Sequence, residues 1–305
     1  MSIIKSAPNL YEIRLSLEMT RFNSLLSTWV YKDNKICFLV DPGPKSTINS
    51  LRVALTKLGI NKIDLDYILL THIHIDHAGG VGKLILSFPE AQIICHPKGV
   101  KHLINPEKLW EGSLKVLGVI AEKYGNIIPV PEERIQVQES MARDELKIIE
   151  TLGHSPHHQS YLFNQYLFVG EAAGTHYPLT EKIYIRPATP PVFNYEIAIS
   201  SIKKLIARNL IDHMICYAHY GMRKNADLML KIALQQLPIW LQVIDDMFEK
   251  RDHPNFITYA IEALKMKDKN FANLNLLDQK SREKEVYFIG NSIKGITNYI
   301  KKKRC

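Results

Sequence analysis

Cysteine is scarce in this 305-residue chain, and its four copies, Cys37, Cys95, Cys216 and Cys305, form no CxxC pair. That excludes a disulfide framework and a thiolate zinc ribbon. The first three lie in apolar, strand-like segments, where a thiol acts as a small buried hydrophobe and stays reduced. No apolar run approaches the ~18–20 residues that cross a bilayer, and residues 1–8 lack the long apolar centre of a signal peptide. The chain therefore reads as cytoplasmic, with no membrane partner. Neither Gly-x-Ser-x-Gly nor a P-loop motif occurs, so a serine nucleophile elbow and a glycine-rich phosphate loop are also absent. There are no internal repeats and no low-complexity segments.

Charge is present but diffuse. The formal net charge of +8 is densest at Lys301-Lys302-Lys303-Arg304. Aromatic residues do not interleave with the basic ones as a base-stacking platform requires. The tail reads as a solvated end that complements the negative end of a last helix, which argues against a nucleic-acid partner. Ordinary apolar content leaves enough for a sizeable core.

What is concentrated is metal-binding chemistry. Residues 71–80 read Thr71-His72-Ile73-His74-Ile75-Asp76-His77-Ala78-Gly79-Gly80, directly after the apolar run Tyr67-Ile68-Leu69-Leu70. Four potential ligands fall within six positions. Imidazole nitrogens and a carboxylate suit zinc, and also iron or manganese. A strand would send alternate residues to opposite faces, and a helix would spread positions 72, 74 and 76 around its circumference. A sharp loop at the end of a buried strand can turn them inward together.

Around that loop the chain alternates strand-like and helix-like segments, which implies an α/β layered fold. Strands are expected at 10–17, 25–31, 35–40, 66–70 and 91–95, and helices at 46–58, stopped by Gly59, and at about 80–87. A helical insert is expected over 97–124, with Pro106 starting its second helix and Gly125 stopping it. Further strands fit 134–138, 146–150, 159–163, 166–169 and 212–217, with a helix at 195–208. Residues 174–194 read as a long connection, a length usual for a binding loop or lid. From about 223 no strand signal recurs. Apolar residues at helical spacing predict a helix that Pro238 should bend or break, then helices at 254–266 and 283–301. The organisation expected is a main domain over 1–222 and a C-terminal helical extension over 223–305.

The loop resembles the HxHxDH signature of metallo-β-lactamase-fold hydrolases, and four further segments extend the resemblance over roughly residues 10–222. They are Val40-Asp41-Pro42-Gly43, Gly153-His154-Ser155-Pro156-His157-His158, the segment Leu167–Gly174 containing Glu171, and Tyr217-Ala218-His219-Tyr220-Gly221. The resemblance implies an αββα sandwich and a dinuclear centre, nearest the glyoxalase II and lactonase-like branch. His72, His74 and His154 would face one ion and Asp76, His77 and His219 the other. Glu171 would bridge them where relatives usually carry aspartate, its longer side chain altering the reach. Asp41 would orient the loop without ligating, and His158 would hold its place by a hydrogen bond. His157 stands where the family often has glycine and could line the pocket. Lip residues that could contact substrate are His176, Tyr177, Tyr184, Arg186 and Tyr220.

Two divalent ions, zinc first and iron or manganese as alternatives, would lower the pKa of a shared water from about 15.7 to near neutrality. The hydroxide could then attack an ester, thioester or lactone carbonyl of a small-molecule substrate, with Asp76 also shuttling a proton to the leaving group. Two other chemistries fit the same fold. A di-iron redox or oxygen-reacting centre is disfavoured by His74, where the di-iron flavoproteins carry glutamate, but kept open by Glu171. A phosphodiesterase or nuclease would bring an extra domain or exosite arm, and none is visible. The helical extension could cap the site or form a homodimer.

Overall fold

The computed structural model describes all residues except 16, 18–25 and 138–145. The chain divides into two compact units. One comprises Met1–Glu150, His157–Asn164 and Ala218–Tyr220; the other comprises Thr151–Pro156, Gln165–Tyr217 and Gly221–Cys305.

The first unit is built on a seven-stranded sheet with its strands in chain order: β1 (Ser2–Ala7), β2 (Leu10–Leu15), β3 (Leu26–Lys32), β4 (Cys37–Val40), β5 (Tyr67–Leu69), β6 (Gln92–Ile94) and β7 (Ile135–Gln136). The first four pair antiparallel, and β4 through β7 pair parallel. Parallel strands need crossovers. The first is α1 (Ile48–Lys57), which buries Ile48, Leu51, Ala54 and Leu55 and ends before Gly59, whose φ is +66°. The short α2 (Val81–Leu84) follows the histidine loop. Their apolar faces meet Leu39, Ile68, Leu70 and Ile93 in one core cluster. Because β5 is central and short, the loop after it starts from a fixed, buried point. A second pair in this unit, β8 (Leu146–Glu150) and β9 (Gln159–Phe163), is antiparallel.

The insert forms three helices rather than two: α3 (Pro97–Ile104), α4 (Glu107–Leu117) and α5 (Val119–Tyr124). Gly118, at φ +53°, separates the last two; a residue that tolerates positive φ ends a helix readily. The N-terminal strand β1 is a further departure. Its half-exposed residues carry no clean alternation, and pairing with β2 rather than burial defines it. Of the expected strands, positions 16, 25 and 138 lie outside the described residues.

In the second unit β10 (Tyr166–Gly170) pairs parallel with β13 (Met214–Tyr217), which pairs antiparallel with the short β14 (Met222–Lys224). The connection over 174–194 is not bare loop: β11 (Thr175–Tyr177) and β12 (Tyr184–Arg186) form a hairpin within it. Helices α6 (Tyr195–Ile206), α7 (Ala226–Asp246), α8 (Phe256–Lys267) and α9 (Gln279–Arg304) complete the unit. Pro238 does not break α7, which runs through it. A proline inside a helix costs about 3 kcal/mol. Here buried Leu237, Trp240, Val243 and Ile244 around it supply packing that outweighs the lost hydrogen bond. The basic tail belongs to α9, with Lys303 paired to Glu196 and Arg304 to Asp245 and Glu249. Among the described residues, no helix is long and apolar enough to cross a membrane.

Candidate metal centre

In the first unit the histidine loop is shaped by one carboxylate. Asp41 follows β4 with φ +53°, a left-handed conformation that aspartate tolerates better than most side chains. It is buried, and its Oδ1 accepts from the Thr71 amide at 2.8 Å while its Oδ2 accepts from the Thr71 hydroxyl at 2.6 Å. Oδ2 also lies 3.3 Å from His77 Nδ1. The two glycines after His77 allow close packing. A side chain at Gly79 would overlap the Ile75 carbonyl, and one at Gly80 would overlap Ile48. Gly80 N–H donates to the Gly43 carbonyl, and Gly43 N–H donates to that of His77, each at 2.9 Å.

These contacts set tautomers. A carboxylate only accepts, so Asp41 draws the hydrogen of His77 to Nδ1, while Nε2 on the other side of the ring lies 3.4 Å from Asp76 Oδ2. The Thr71 hydroxyl spends its hydrogen on Asp41 and therefore accepts from His72 Nδ1, 3.0 Å away. His72 is thereby left with a lone pair on Nε2. Ile73 and Ile75 point into the core, while His74 and Asp76 are half-buried. The His72 ring lies 4.5 Å from that of His74 and 4.2 Å from that of His77. Asp76, His77 and His219 each bring one ligand atom within 4.8 Å of the others, as do Asp41, His72 and His77. Asp41 is already bonded to Thr71, so the first of these two groups is the better receptor for a cation.

His157 and His158 sit beside this loop. Ile73 N–H donates to His157 Nδ1 at 3.3 Å, which puts the hydrogen of the neutral His157 ring on Nε2. His157 does not take a positive φ, so the turn accommodates a side chain at this position. His158 is fully buried, its ring stacked on His72 at 5.1 Å. Gln159 N–H, the first of β9, donates to the Thr71 carbonyl at 2.7 Å and ties the two segments together. Tyr220, at φ +60°, is buried with its ring 6.3 Å from that of His219.

In the second unit His154 and Glu171 form a pair of their own. Gly153, at φ +125°, lies so close to α6 that a Cβ would come within 2.5 Å of Ala198 Cα. His154 Nδ1 lies 2.9 Å from the Ala188 carbonyl, an acceptor, so Nδ1 is the protonated nitrogen and Nε2 the basic one. Nε2 lies 3.1 Å from Glu171 Oε2. Two acceptors held that close in a largely buried place require a cation between them, a proton or a metal ion. Histidine rings held by oxygen partners on one nitrogen and set against carboxylate oxygens with the other are a donor set that fits a divalent ion.

The remaining sequence-nominated residues occupy different surroundings. Tyr184 and Arg186 do not form a rim; they are buried. The Tyr184 hydroxyl donates to Glu285 at 2.7 Å and Arg186 Nε donates to the same oxygen at 2.6 Å. Burial alone would lower the Arg186 pKa, but Glu285 beside it outweighs that and raises it. The guanidinium is thus committed to an internal ion pair. His176 is buried with its ring stacked on Tyr217 at 5.2 Å, and burial pushes the Tyr217 phenol well up. The Tyr177 hydroxyl meets Ser281 of α9. Sequence reading missed Glu285, one of two acids on a charged helix. It also missed the roles of Thr71 and the Ala188 carbonyl, one inside the motif and the other a backbone group with no signature.

Comparisons with known proteins agree on a family. The model described as Metallo-beta-lactamase superfamily matches residues 25–217. A metallo-beta-lactamase fold-containing protein of Sulfurisphaera tokodaii is 30% identical over 210 residues, 66% of this chain and 75% of that protein. A hydroxyacylglutathione hydrolase of Actinobacillus pleuropneumoniae is 27% identical over 160 residues, 51% of this chain and 54% of that protein, so the match spans about half its length. Among solved structures, the archaeal metallo-beta-lactamase superfamily protein from Sulfolobus tokodaii superposes with a TM-score of 0.67 at 22% identity, covering 94% of this chain and 98% of that one. A metallo-beta-lactamase family protein from Thermus thermophilus gives 0.66 at 16% identity, covering 98% and 95%. The mixed α/β architecture is theirs, and the chain belongs to the metallo-beta-lactamase superfamily.

Proposed function

We propose that this protein is a metal-dependent hydrolase of an ester, thioester or lactone, and that His72, His74, Asp76, His77, His154, Glu171 and His219 are the ligands of two divalent ions. The observation that carries this reading is the way the histidine rings are held between oxygen partners and carboxylates. His72, His77 and His154 each have Nδ1 engaged by an oxygen partner, and Nε2 of the last two lies beside a carboxylate, Asp76 and Glu171. Hydroxyacylglutathione hydrolases, among the relatives, act by name on a thioester, which favours that substrate class. Bound divalent ions would supply activated water and polarise the substrate oxygen. The chain's own part is to orient the ligand nitrogens. Asp76 would move a proton toward the leaving group, and His157 would donate from Nε2 to a substrate oxygen.

The test is metal content with a substrate panel. Purified protein should bind two equivalents of zinc and hydrolyse at least one ester, thioester or lactone. Two bound zinc ions with no hydrolysis across the panel, phosphodiesters included, would remove the hydrolase assignment. Visible absorbance from bound iron would favour the redox alternative. Glu171→Asp should keep two-metal binding and Glu171→Ala should lose one equivalent; unchanged stoichiometry and affinity in Glu171→Ala would refute its role as a ligand.

A further inference from the structure

We infer that the last helix, α9, is a positioning element for the metal-binding pair, acting through the strap Arg186–Pro190; this rests on the reading of His154 and Glu171 as ligands. The chain of contacts lies wholly within the second unit. His154 takes its tautomer from the carbonyl of Ala188, the middle residue of the strap. On either side of Ala188 the strap is bonded to α9. Ser292 Oγ donates to the Pro187 carbonyl at 3.0 Å, and Thr189 Oγ1 donates to the Ser292 carbonyl at 2.8 Å. At the start of the strap, Arg186 is locked to Glu285, two turns earlier on α9. Gly295 completes the clamp: a Cβ there would overlap the carbonyl oxygens of Thr189 and Pro190.

Glu171 leans on the same strap. Its turn closes with Gly174 N–H donating to the Glu171 carbonyl at 3.0 Å. Gly174, at φ +82°, has no room for a side chain because one would overlap the Arg186 carbonyl. The strap also continues to Asn194, whose N–H donates to the Gly153 carbonyl at 3.0 Å, immediately before His154. Both ligand-bearing turns thus rest on one short backbone segment, and α9 sets where that segment lies. Ser292, Thr189 and Glu285 are all buried, so these contacts do not compete with water. A backbone carbonyl cannot be exchanged by mutation. The helix that places it is where sequence can tune the pair.

Gly295→Ala in the full-length protein tests this, with Gly290→Ala as its control. Both put a methyl on α9, but at Gly290 the nearest atom is Ile257 Cγ2 at 3.6 Å, an ordinary contact. Metal-free protein is titrated with zinc, and the His154 Nδ1–H proton resonance is followed by NMR, assigned by its loss in His154→Ala. Gly295→Ala should weaken zinc binding roughly tenfold or more, as loss of a ligand's orienting partner does, and should shift the resonance. Gly290→Ala should change neither. Should Gly295→Ala fail to fold, Ser292→Ala decides, with a smaller loss in the same direction. Wild-type affinity and an unmoved resonance in the folded variant overturn the inference. Unchanged zinc binding in His154→Ala would instead overturn the ligand reading, while the resonance still reports whether α9 places the ring.

Discussion

The loop over 71–80 and the His154–Glu171 pair solve the same problem by opposite means. In the loop a single charged side chain does the orienting: Asp41 bonds Thr71 twice and faces His77, and through the Thr71 hydroxyl it also settles His72. In the pair the orienting group is a neutral carbonyl, and the carbonyl is placed by residues about a hundred positions further along the chain. A carboxylate partner makes an imidazole a stronger donor than a carbonyl does. The loop is therefore the electronically richer half, built from nearby sequence and vulnerable at one residue. The pair is the softer half, its geometry spread across a helix and a strap.

The contrast breaks most visibly at Arg186. Removing one member of a buried ion pair leaves an uncompensated charge, at a cost of about 3–5 kcal/mol. Arg186→Met should therefore lower the denaturant midpoint sharply, and Arg186→Met with Glu285→Leu should recover most of the loss. A single variant as stable as the parent would show that the strap is not anchored by Glu285.

At Asp41 the expected effect is smaller on stability and larger on binding. Asp41→Ala strips partners from two buried Thr71 groups and His77, at about 2–3 kcal/mol. Asp41→Asn is sharper. The Thr71 amide requires the oxygen of the new carboxamide, which turns its NH2 toward His77 Nδ1 and the Thr71 hydroxyl. His77 must then accept at Nδ1 and carry its hydrogen on Nε2, where it cannot ligate. Zinc affinity should fall about 10–100-fold with the fold intact. Wild-type affinity in Asp41→Asn would mean that tautomer control does not reside there.

The same contrast explains how much could be read from sequence. The loop was legible because a metal site packs chemically distinctive residues close together, and because Gly79-Gly80 and Pro42-Gly43 mark tight turns. Around it, β5 was legible as an apolar run and α1 from its helical periodicity. His154, Glu171 and His219 were found by resemblance in order, not by any local signal. The strap was legible only as a Pro-rich stretch, and its hairpin β11–β12 was missed because three-residue strands carry no period. Arg186 and Tyr184 read as lip residues that could contact substrate, since nothing in their neighbourhood announces Glu285. Pro238 argued for a break that tertiary packing overrules.

Thiol reactivity sharpens the comparison at modest amplitude. Cys37 and Cys95 belong to the first unit, and burial pushes both thiols up to about 12. Cys216 is buried in β13 of the second, and Cys305 is exposed. Alkylation near pH 8 should label Cys305 at once and the other three only through local opening. If the pair is the softer half, Cys216 should label ahead of Cys37 and Cys95. Equal rates for all three would remove the distinction.

The smallest effect concerns the far end of α9. Glu196, at the start of α6, is held at about 2, first by its hydrogen bond from Lys303 and then by that from Tyr299. A carboxyl lowered on folding stabilises the folded state above its ordinary pKa, and that contribution fades as pH falls toward its folded value. Glu196 is more than half exposed, so salt screens the pair and the stabilisation is slight. The denaturant midpoint of Glu196→Gln should therefore fall a little below the parent's at pH 7 and low salt, and the gap should narrow by pH 3. A gap independent of pH would assign the contact to packing of Tyr299 against Phe193 and Tyr195 instead. The end of α9 would then be held by its aromatic face, and the charged tail would contribute nothing to placing the strap.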